Sequence, residues 1–523
     1  MEEKRASWGS NIGFLLAAIG SAVGLGNIWG FPYKMGKSGG LLFLLVYVAL
    51  TIVVGFVIMV SELALGRKTG RGAMGAYYSI TKKFKWLGWL AVLAPFLIMS
   101  FYSVLGGYCL QYMSLNMAEL SFGIQSNFDV SLGGSGTFGA MLTNPLGCAI
   151  FTLVFLALCY FINKSGVAAG IEKFNKIGMP ALFVMLVIII IRALTLDGAV
   201  EGLKFMFKPG YAVEAGFISE APSFISVLAS AGGQMFFSLS LAMGVMITYG
   251  SYLGKKENLK KNSVVIIAAD TIVAIMAGIA VIPAAVANGI KNGVPYSDIK
   301  LGGPKLLFVT LQDVFAEMGA IGPLFGVVFY LLVLIAAISS AISLTEVVVT
   351  FFMDRAASRK KEGNRQKITL WVCIAIAVEA ILVAIDGLGA SGIFKFWSSA
   401  PAWKDCFLDF MDCWSEGIAM PLGAMIMSVM VGWELKSKPI LEEIDSQGRS
   451  CKGFVVFYKI CIMFVTPVLM AFILAGQLLE FFRDSSAANA SQVELIIYIV
   501  SGVLLLASWV LAIIKSKKSA QQQ

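Results

Sequence analysis

Twelve apolar stretches separated by short charged loops organise the chain. They run roughly over 10–34, 41–66, 87–115, 145–162, 174–194 and 222–253, then 263–289, 320–353, 368–386, 407–433, 454–478 and 493–514. Each is long enough to cross a bilayer as a helix. The segment from Leu301 to Ala320 is expected to re-enter the membrane or to lie on its outer surface. Two stretches break the apolar pattern. No charge occurs from Ala6 to Tyr33, yet Gly20, Gly24, Gly26 and Gly30 weaken a helix there and Asn27 places an amide at bilayer depth. The sixth stretch has no charge from Ala221 to Gly254, but Gln234, Ser238, Ser240 and Gly244 interrupt it. A helix broken at such a place leaves free carbonyls that suit a cation and free N–H groups that suit a carboxylate. The bland alternative for the first stretch is a glycine-rich packing helix.

Composition removes whole classes of function. The 523 residues are 58% hydrophobic and 14% charged, with a mean hydropathy of +0.83, which a soluble multidomain chain would not show. The net charge of +9 points to topology rather than nucleic acid, because the charges sit in short loops. Of the 40 Lys and Arg, 28 fall at the termini and in alternate loops, 11 on the opposite side, and Lys459 at the start of the eleventh stretch. Both termini are therefore expected in the cytoplasm, with the chain in the inner (plasma) membrane. The first apolar run is too long for a cleavable signal peptide. Histidine is absent, which excludes His-ligated metal and His-based catalysis, and no credible nucleophile–base pair stands out, so an enzyme is not expected. The eight cysteines form no CxxC pair; Cys406 and Cys413 are either free thiols or an outward-facing pair.

Polar groups at membrane depth add candidate chemistry. Asp270 is the one charge in the seventh stretch; the eighth carries Ser339-Ser340, and the third carries Tyr102. Hydroxyls, backbone carbonyls and a carboxylate suit a hard cation, and no thiolate or imidazole joins them. The two serines alternatively back-bond to helical carbonyls. Glu62 either accepts from free amides of the broken sixth stretch or snorkels to the surface, and Glu379 has no evident partner.

The run Gly20-Ser21-Ala22-Val23-Gly24-Leu25-Gly26-Asn27-Ile28-Trp29-Gly30-Phe31-Pro32-Tyr33 resembles the first-helix signature of the neurotransmitter:sodium symporters. Trp8, Phe237-Ser238-Leu239-Ser240, Ile282-Pro283-Ala284-Ala285, the paired serines and Leu408-Asp409-Phe410-Met411-Asp412 extend the resemblance over nearly the whole chain. The short tails are similar to those of the bacterial leucine transporter and of bacterial amino-acid members generally. The resemblance implies an all-α polytopic membrane protein, a single transporter domain with a 5+5 inverted repeat (1–200 and 201–435) and two C-terminal helices (436–523).

It further implies sodium-coupled uptake of a neutral, apolar amino acid by alternating access, without chloride and without an organic cofactor. The alternative in another class is a non-transporting sodium-dependent sensor or a channel. The expected partners are the amino acid and the lipid bilayer, with the chain a monomer or loose homodimer. Sodium site 1 is expected at Ala22, Asn27, Ser238 and Asp270, and site 2 at Gly20, Val23, Ala336, Ser339 and Ser340. The amino acid is expected among Ala22, Leu25, Gly26, Ile98, Tyr102, Phe237, Ser238, Ser240, Met243, Ser340 and Leu344. Arg5 and Asp354, with Trp8 and Tyr252 close by, fit the inner gate; Tyr102, Phe237 and Asp412 fit the outer. Gly30 departs from the family's usual Arg, leaving Lys34 or no cation for Asp412. Asp270 stands where chloride-dependent members carry a neutral Asn, and Ala274 one turn on offers no hydroxyl to an anion.

Overall fold

The computed structural model describes residues 7–81, 83–122, 133–299, 301, 306–316, 318–359, 363–391, 406–445 and 452–483. Arg5 and the twelfth stretch (493–514) lie outside them. Among the described residues the chain is helical without strands, and nine helices are long and apolar enough to span a membrane. A tenth span is a bent pair, α1 (Asn11–Ala22) and α2 (Gly26–Lys37), meeting at 45°. The principal further elements are α3 (Leu41–Thr69), α4 (Leu87–Ser121), α5 (Pro145–Asn163), α6 (Val167–Leu194), α7 (Phe224–Ser238), α8 (Val245–Gly250), α9 (Leu259–Lys291), α10 (Gly319–Ser358), α11 (Arg365–Asp386), α12 (Phe407–Glu434), α13 (Lys438–Ile444) and α14 (Lys452–Leu478).

Helix α10 is the pole of the bundle. Every residue from Ala336 to Thr350 is buried, and α4, α6 and α11 pack along it. A helix surrounded on all sides by protein can carry polar groups inward, because none of them faces lipid. Residues 306–316 form a short helix that buries Leu307, Phe308, Leu311 and Val314 against α9 and α10. It is too short to cross a bilayer.

Both expected breaks are present. α1 stops at Ala22, where Val23 turns to extended geometry (φ −78°, ψ 94°). The second break is made largely without glycine: Ser240 (φ 52°) and Ala242 (φ 61°) join Gly244 (φ 74°) in left-handed backbone between α7 and α8. Such a conformation costs a non-glycine residue about 1–2 kcal/mol, so the surroundings must hold it.

Beyond α12, the short α13 is tied to the bundle by charge. Glu443 Oε1 accepts from Arg67 Nε of α3 at 2.7 Å and from Lys255 Nζ of the α8–α9 loop at 2.8 Å. Burial pushes the Glu443 carboxyl up, but the hydrogen bonds and charges of Lys255 and Arg67 outweigh it and hold the group below the ordinary carboxylate value.

Candidate functional site

The two breaks meet at Asp270 of α9, which is fully buried. Asn27, at the start of α2, donates through Nδ2 to Asp270 Oδ1 at 2.8 Å and to its carbonyl at 3.2 Å. Ser238, the last residue of α7, donates to the same Oδ1 at 2.8 Å. Tyr47 of α3 donates to Oδ2 at 3.1 Å. Asn27 Oδ1 turns back to accept from Gly24 N at 3.0 Å, closing the first break on itself. Four elements thus place amide, hydroxyl and carboxylate oxygens within one cluster around an ionisable group. Gln234 of α7 pins the same region from the other side, donating to Gly26 O at 2.7 Å.

Beside this cluster lies a cavity of about 20 Å³ lined by Ser21, Ala22, Gly24, Gly26, Ile98, Tyr102, Phe237, Ser240, Met243, Ser340 and Leu344. Of the eleven residues expected around the amino acid, nine line it, and Leu25 and Ser238 do not. Ser21 and Gly24 line it too, although the sequence reading did not single them out as binding residues. Leu25 reaches the site through its backbone, donating to the Tyr102 hydroxyl at 3.1 Å. Ser240 crosses from the second break to the first, donating to Ser21 O at 2.8 Å. A larger cavity, about 200 Å³, opens among Arg192, Asp197, Asn288 and Lys291. It sits 17 residues along α9 from Asp270, about 25 Å of helix, and lacks the convergence of unwound backbone.

The second expected oxygen set is drawn together in part. Ser340 Oγ reaches across to Ser21 O at 3.1 Å and Gly20 O at 3.4 Å. Ser339 back-bonds to Ala336 O at 2.8 Å, the ordinary helical alternative. Glu62 takes the first of its two readings: Oε1 accepts from Ala242 N at 2.9 Å, capping the strained break from α3.

At one end of the site, Lys34 does not reach Asp412 for its hydrogen bond; it pairs with Glu416 of α12, one turn further on. Asp412 lies beside both and interacts electrostatically with each. A Cβ at Gly30 would stand 2.8 Å from Gln234 Oε1, so a longer side chain there would collide with the residue that pins α2. Glu416 was missed because its only signal is its i+4 spacing from Asp412.

At the other end, Trp8 Nε1 donates to Tyr249 O at 3.1 Å and its ring meets Tyr249 edge-on at 5.0 Å. Asp354 accepts from Gly72 N at 2.7 Å. Tyr252 donates to Glu346 Oε1 at 2.8 Å, and Arg365 forks onto both Glu346 oxygens, with Nη1 at 3.1 Å from Oε1. The sequence reading did not single out Glu346 or Arg365, though both are ionisable residues in or beside the eighth and ninth stretches. Elsewhere, Cys406 is a buried free thiol, so it forms no bridge to Cys413. Glu379 Oε2 is buried with no hydrogen-bond partner among the described residues.

Comparison with known proteins matches residues 5–128 and 136–517 to the model of the sodium:neurotransmitter symporter family. An uncharacterised sodium-dependent transporter of Bacillus subtilis is 32% identical over 469 residues, covering 89% of this chain and 96% of the relative. One of Methanocaldococcus jannaschii is 29% identical over 483 residues, covering 89% of each. Among solved structures, MhsT in complex with L-phenylalanine superimposes with a TM-score of 0.77 at 33% identity, covering 90% of this chain and all of MhsT.

Proposed function

The chain belongs to the sodium:neurotransmitter symporter family, a family of sodium-dependent membrane transporters, and from that premise we propose that it carries a neutral amino acid into the cell with sodium by alternating access. The observation that carries the reading is Asp270. One carboxylate receives Asn27 from the first helix break and Ser238 from the second, so a cation there would bind both breaks at once.

In this reading, Asn27, Ser238, Asp270 and the Ala22 carbonyl hold the first sodium, and the substrate carboxylate completes the shell. That carboxylate also meets the Leu25 and Gly26 N–H groups and the Tyr102 hydroxyl, on the positive end of α2. The ammonium meets the Ala22 and Phe237 carbonyls at the negative ends of α1 and α7. The side chain lies among Ile98, Met243 and Leu344, with Ser240 and Ser340 at its flank. Ser339, Ser340 and the Gly20, Val23 and Ala336 carbonyls form the second sodium site. MhsT, with its bound L-phenylalanine, supports an amino-acid substrate.

Chloride has no role in this scheme. Tyr47 and Ser238, the hydroxyls that an anion would need, already donate to Asp270, and a chloride beside an ionised carboxylate at low dielectric is repelled.

The test is uptake into proteoliposomes under an inward sodium gradient, screened over the twenty labelled L-amino acids. Accumulation of a neutral amino acid that disappears when choline replaces sodium is expected. Sodium-dependent binding with no accumulation would favour a sensor, and flux that ignores sodium would refute the assignment.

A further inference from the structure

The start of α1 is capped from another helix. Ser10 is its N-cap, and Ser10 Oγ accepts from Gly13 N at 3.0 Å. In a capping box the third helical residue is Glu or Gln, whose side chain folds back on the N-terminal amides. Here that residue is Gly13, which has no side chain. The space is filled by Glu172 of α6: a Cβ placed on Gly13 would stand 1.9 Å from Glu172 Oε1 and 2.2 Å from its carboxyl carbon. The Glu172 carboxylate takes over a related task, one residue earlier in the backbone than a glutamate at position 13 would. Oε2 accepts from Gly9 N at 2.7 Å, and Oε1 accepts from Ser10 Oγ at 3.1 Å. Its side chain is 3% exposed, with Lys176 of its own helix 2.7 Å from Oε1. The same face of α6 continues under α1: Asn175 Oδ1, buried with no hydrogen-bond partner among the described residues, lies against Gly20, and Met179 Sδ follows.

We propose that α1 and α6 share one capping box, and that Glu172 is the positioning residue that latches α1 in its docked, sodium-binding place. The proposal rests on the symport reading given above, in which the far end of α1 supplies the Gly20, Ala22 and Val23 carbonyls to sodium. A helix whose cap belongs to its neighbour has a completed N-terminus only while docked. When α1 leaves α6, the Gly9 amide and the Ser10 hydroxyl lose their carboxylate, and no residue of α1 replaces it. The latch therefore sets the docked fraction, and apparent sodium affinity scales with that fraction.

The experiment measures sodium-dependent thermal stabilisation of the full chain, with choline as the balancing cation. Glu172→Gln, which keeps the size and removes the charge, is expected to raise the half-saturating sodium concentration about 2- to 30-fold, the equivalent of one lost cap. Glu172→Asp is expected to restore part of the affinity. The deciding variant is Gly13→Glu with Glu172→Ala, which rebuilds the capping box within α1 but severs it from α6. It is expected to recover the melting temperature while its half-saturating sodium concentration stays high. Sodium dependence that returns to the parent's value in this variant would overturn the latch and leave Glu172 a mere stabiliser of α1. An unchanged sodium titration in Glu172→Gln would overturn it as well. A parent chain that sodium does not stabilise at all would instead sink the symport reading itself.

Discussion

Gly24→Ala measures how tightly the first break is fitted to the pocket. Gly24 does not occupy left-handed backbone, so a methyl there meets a steric problem rather than a conformational one. An ideal Cβ would lie 2.3 Å from Ser340 Oγ, 2.7 Å from the Tyr102 hydroxyl and 3.2 Å from Ser340 Cβ. Ordinary contact begins near 3.4 Å, so two atoms must each yield by about an ångström. Tyr102 is a ring held by Leu25 N, and Ser340 is held by Ser21 O. Overpacking of this kind costs about 1–3 kcal/mol, and each displaced hydrogen bond about 0.5–1.5 kcal/mol. The sum over both hydrogen bonds, about 2–6 kcal/mol, corresponds to a loss of affinity of roughly 30-fold at the low end and on the order of 20,000-fold at the high end. The assay is equilibrium binding of whichever labelled amino acid the parent binds tightest, at saturating sodium. Ser340→Ala removes the closest colliding atom, so the double variant Gly24→Ala with Ser340→Ala should be less impaired than the two single losses added together. Near-parental affinity in Gly24→Ala, or strict additivity in the pair, would refute the fit.

Three further outcomes are expected. Sodium-driven uptake should persist when gluconate replaces chloride, and Asp270→Asn with Ala274→Ser should acquire a chloride requirement; collapse of parental uptake in gluconate would contradict this. Arg365→Ala leaves the fully buried Glu346 carboxylate without its cation and should destabilise the fold by about 3–5 kcal/mol, with Glu346→Gln added in the same chain recovering most of the melting temperature. The Glu443 tie contributes stability above the ordinary glutamate value of 4.5, because its folded value is depressed, and that contribution should fade as pH falls below this value. Glu443→Gln should flatten this acid limb of a melting-temperature profile, and an unchanged limb would remove the tie from the account.

The breaks were legible because they violate the one rule that membrane helices keep, an uninterrupted apolar run with satisfied backbone. Asn27, Ser238 and Asp270 stood out for the same reason: polar groups at bilayer depth are costly and few. The expected binding residues came from the family resemblance, and nine of the eleven line one cavity together with Ser21 and Gly24. What the pattern did not reveal was partner choice. Lys34 takes Glu416 over Asp412, a matter of one helical turn between two carboxylates. Glu172 lies 163 residues from Gly9, and Arg365 chooses Glu346 across a connection between helices. Periodicity says which face of a helix is buried, not which residue of another helix will meet it. The second break carried the same lesson in the backbone: Ser240 and Ala242 adopt a geometry that their own propensities oppose, held by Ser21 and Glu62 from elsewhere.

The Glu62 contact also bears on how the chain is made. Its partner, the Ala242 amide, lies 180 residues downstream, so α3 leaves the ribosome long before that amide exists. During that interval a carboxyl group sits inside an inserting helix before the Ala242 amide exists, at a penalty that is about 2.5–3.5 kcal/mol for Asp at a helix centre and less toward the helix end where Glu62 stands. The most apolar 18 residues of the segment that carries this burden, Leu41–Thr69, have a mean hydropathy of 3.0, the highest such value among the described spans. Its surplus of apolar side chains lets α3 enter the bilayer alone and wait. The glutamate then becomes a receptor for the late-arriving break between α7 and α8, so that synthesis order and final architecture meet at one hydrogen bond.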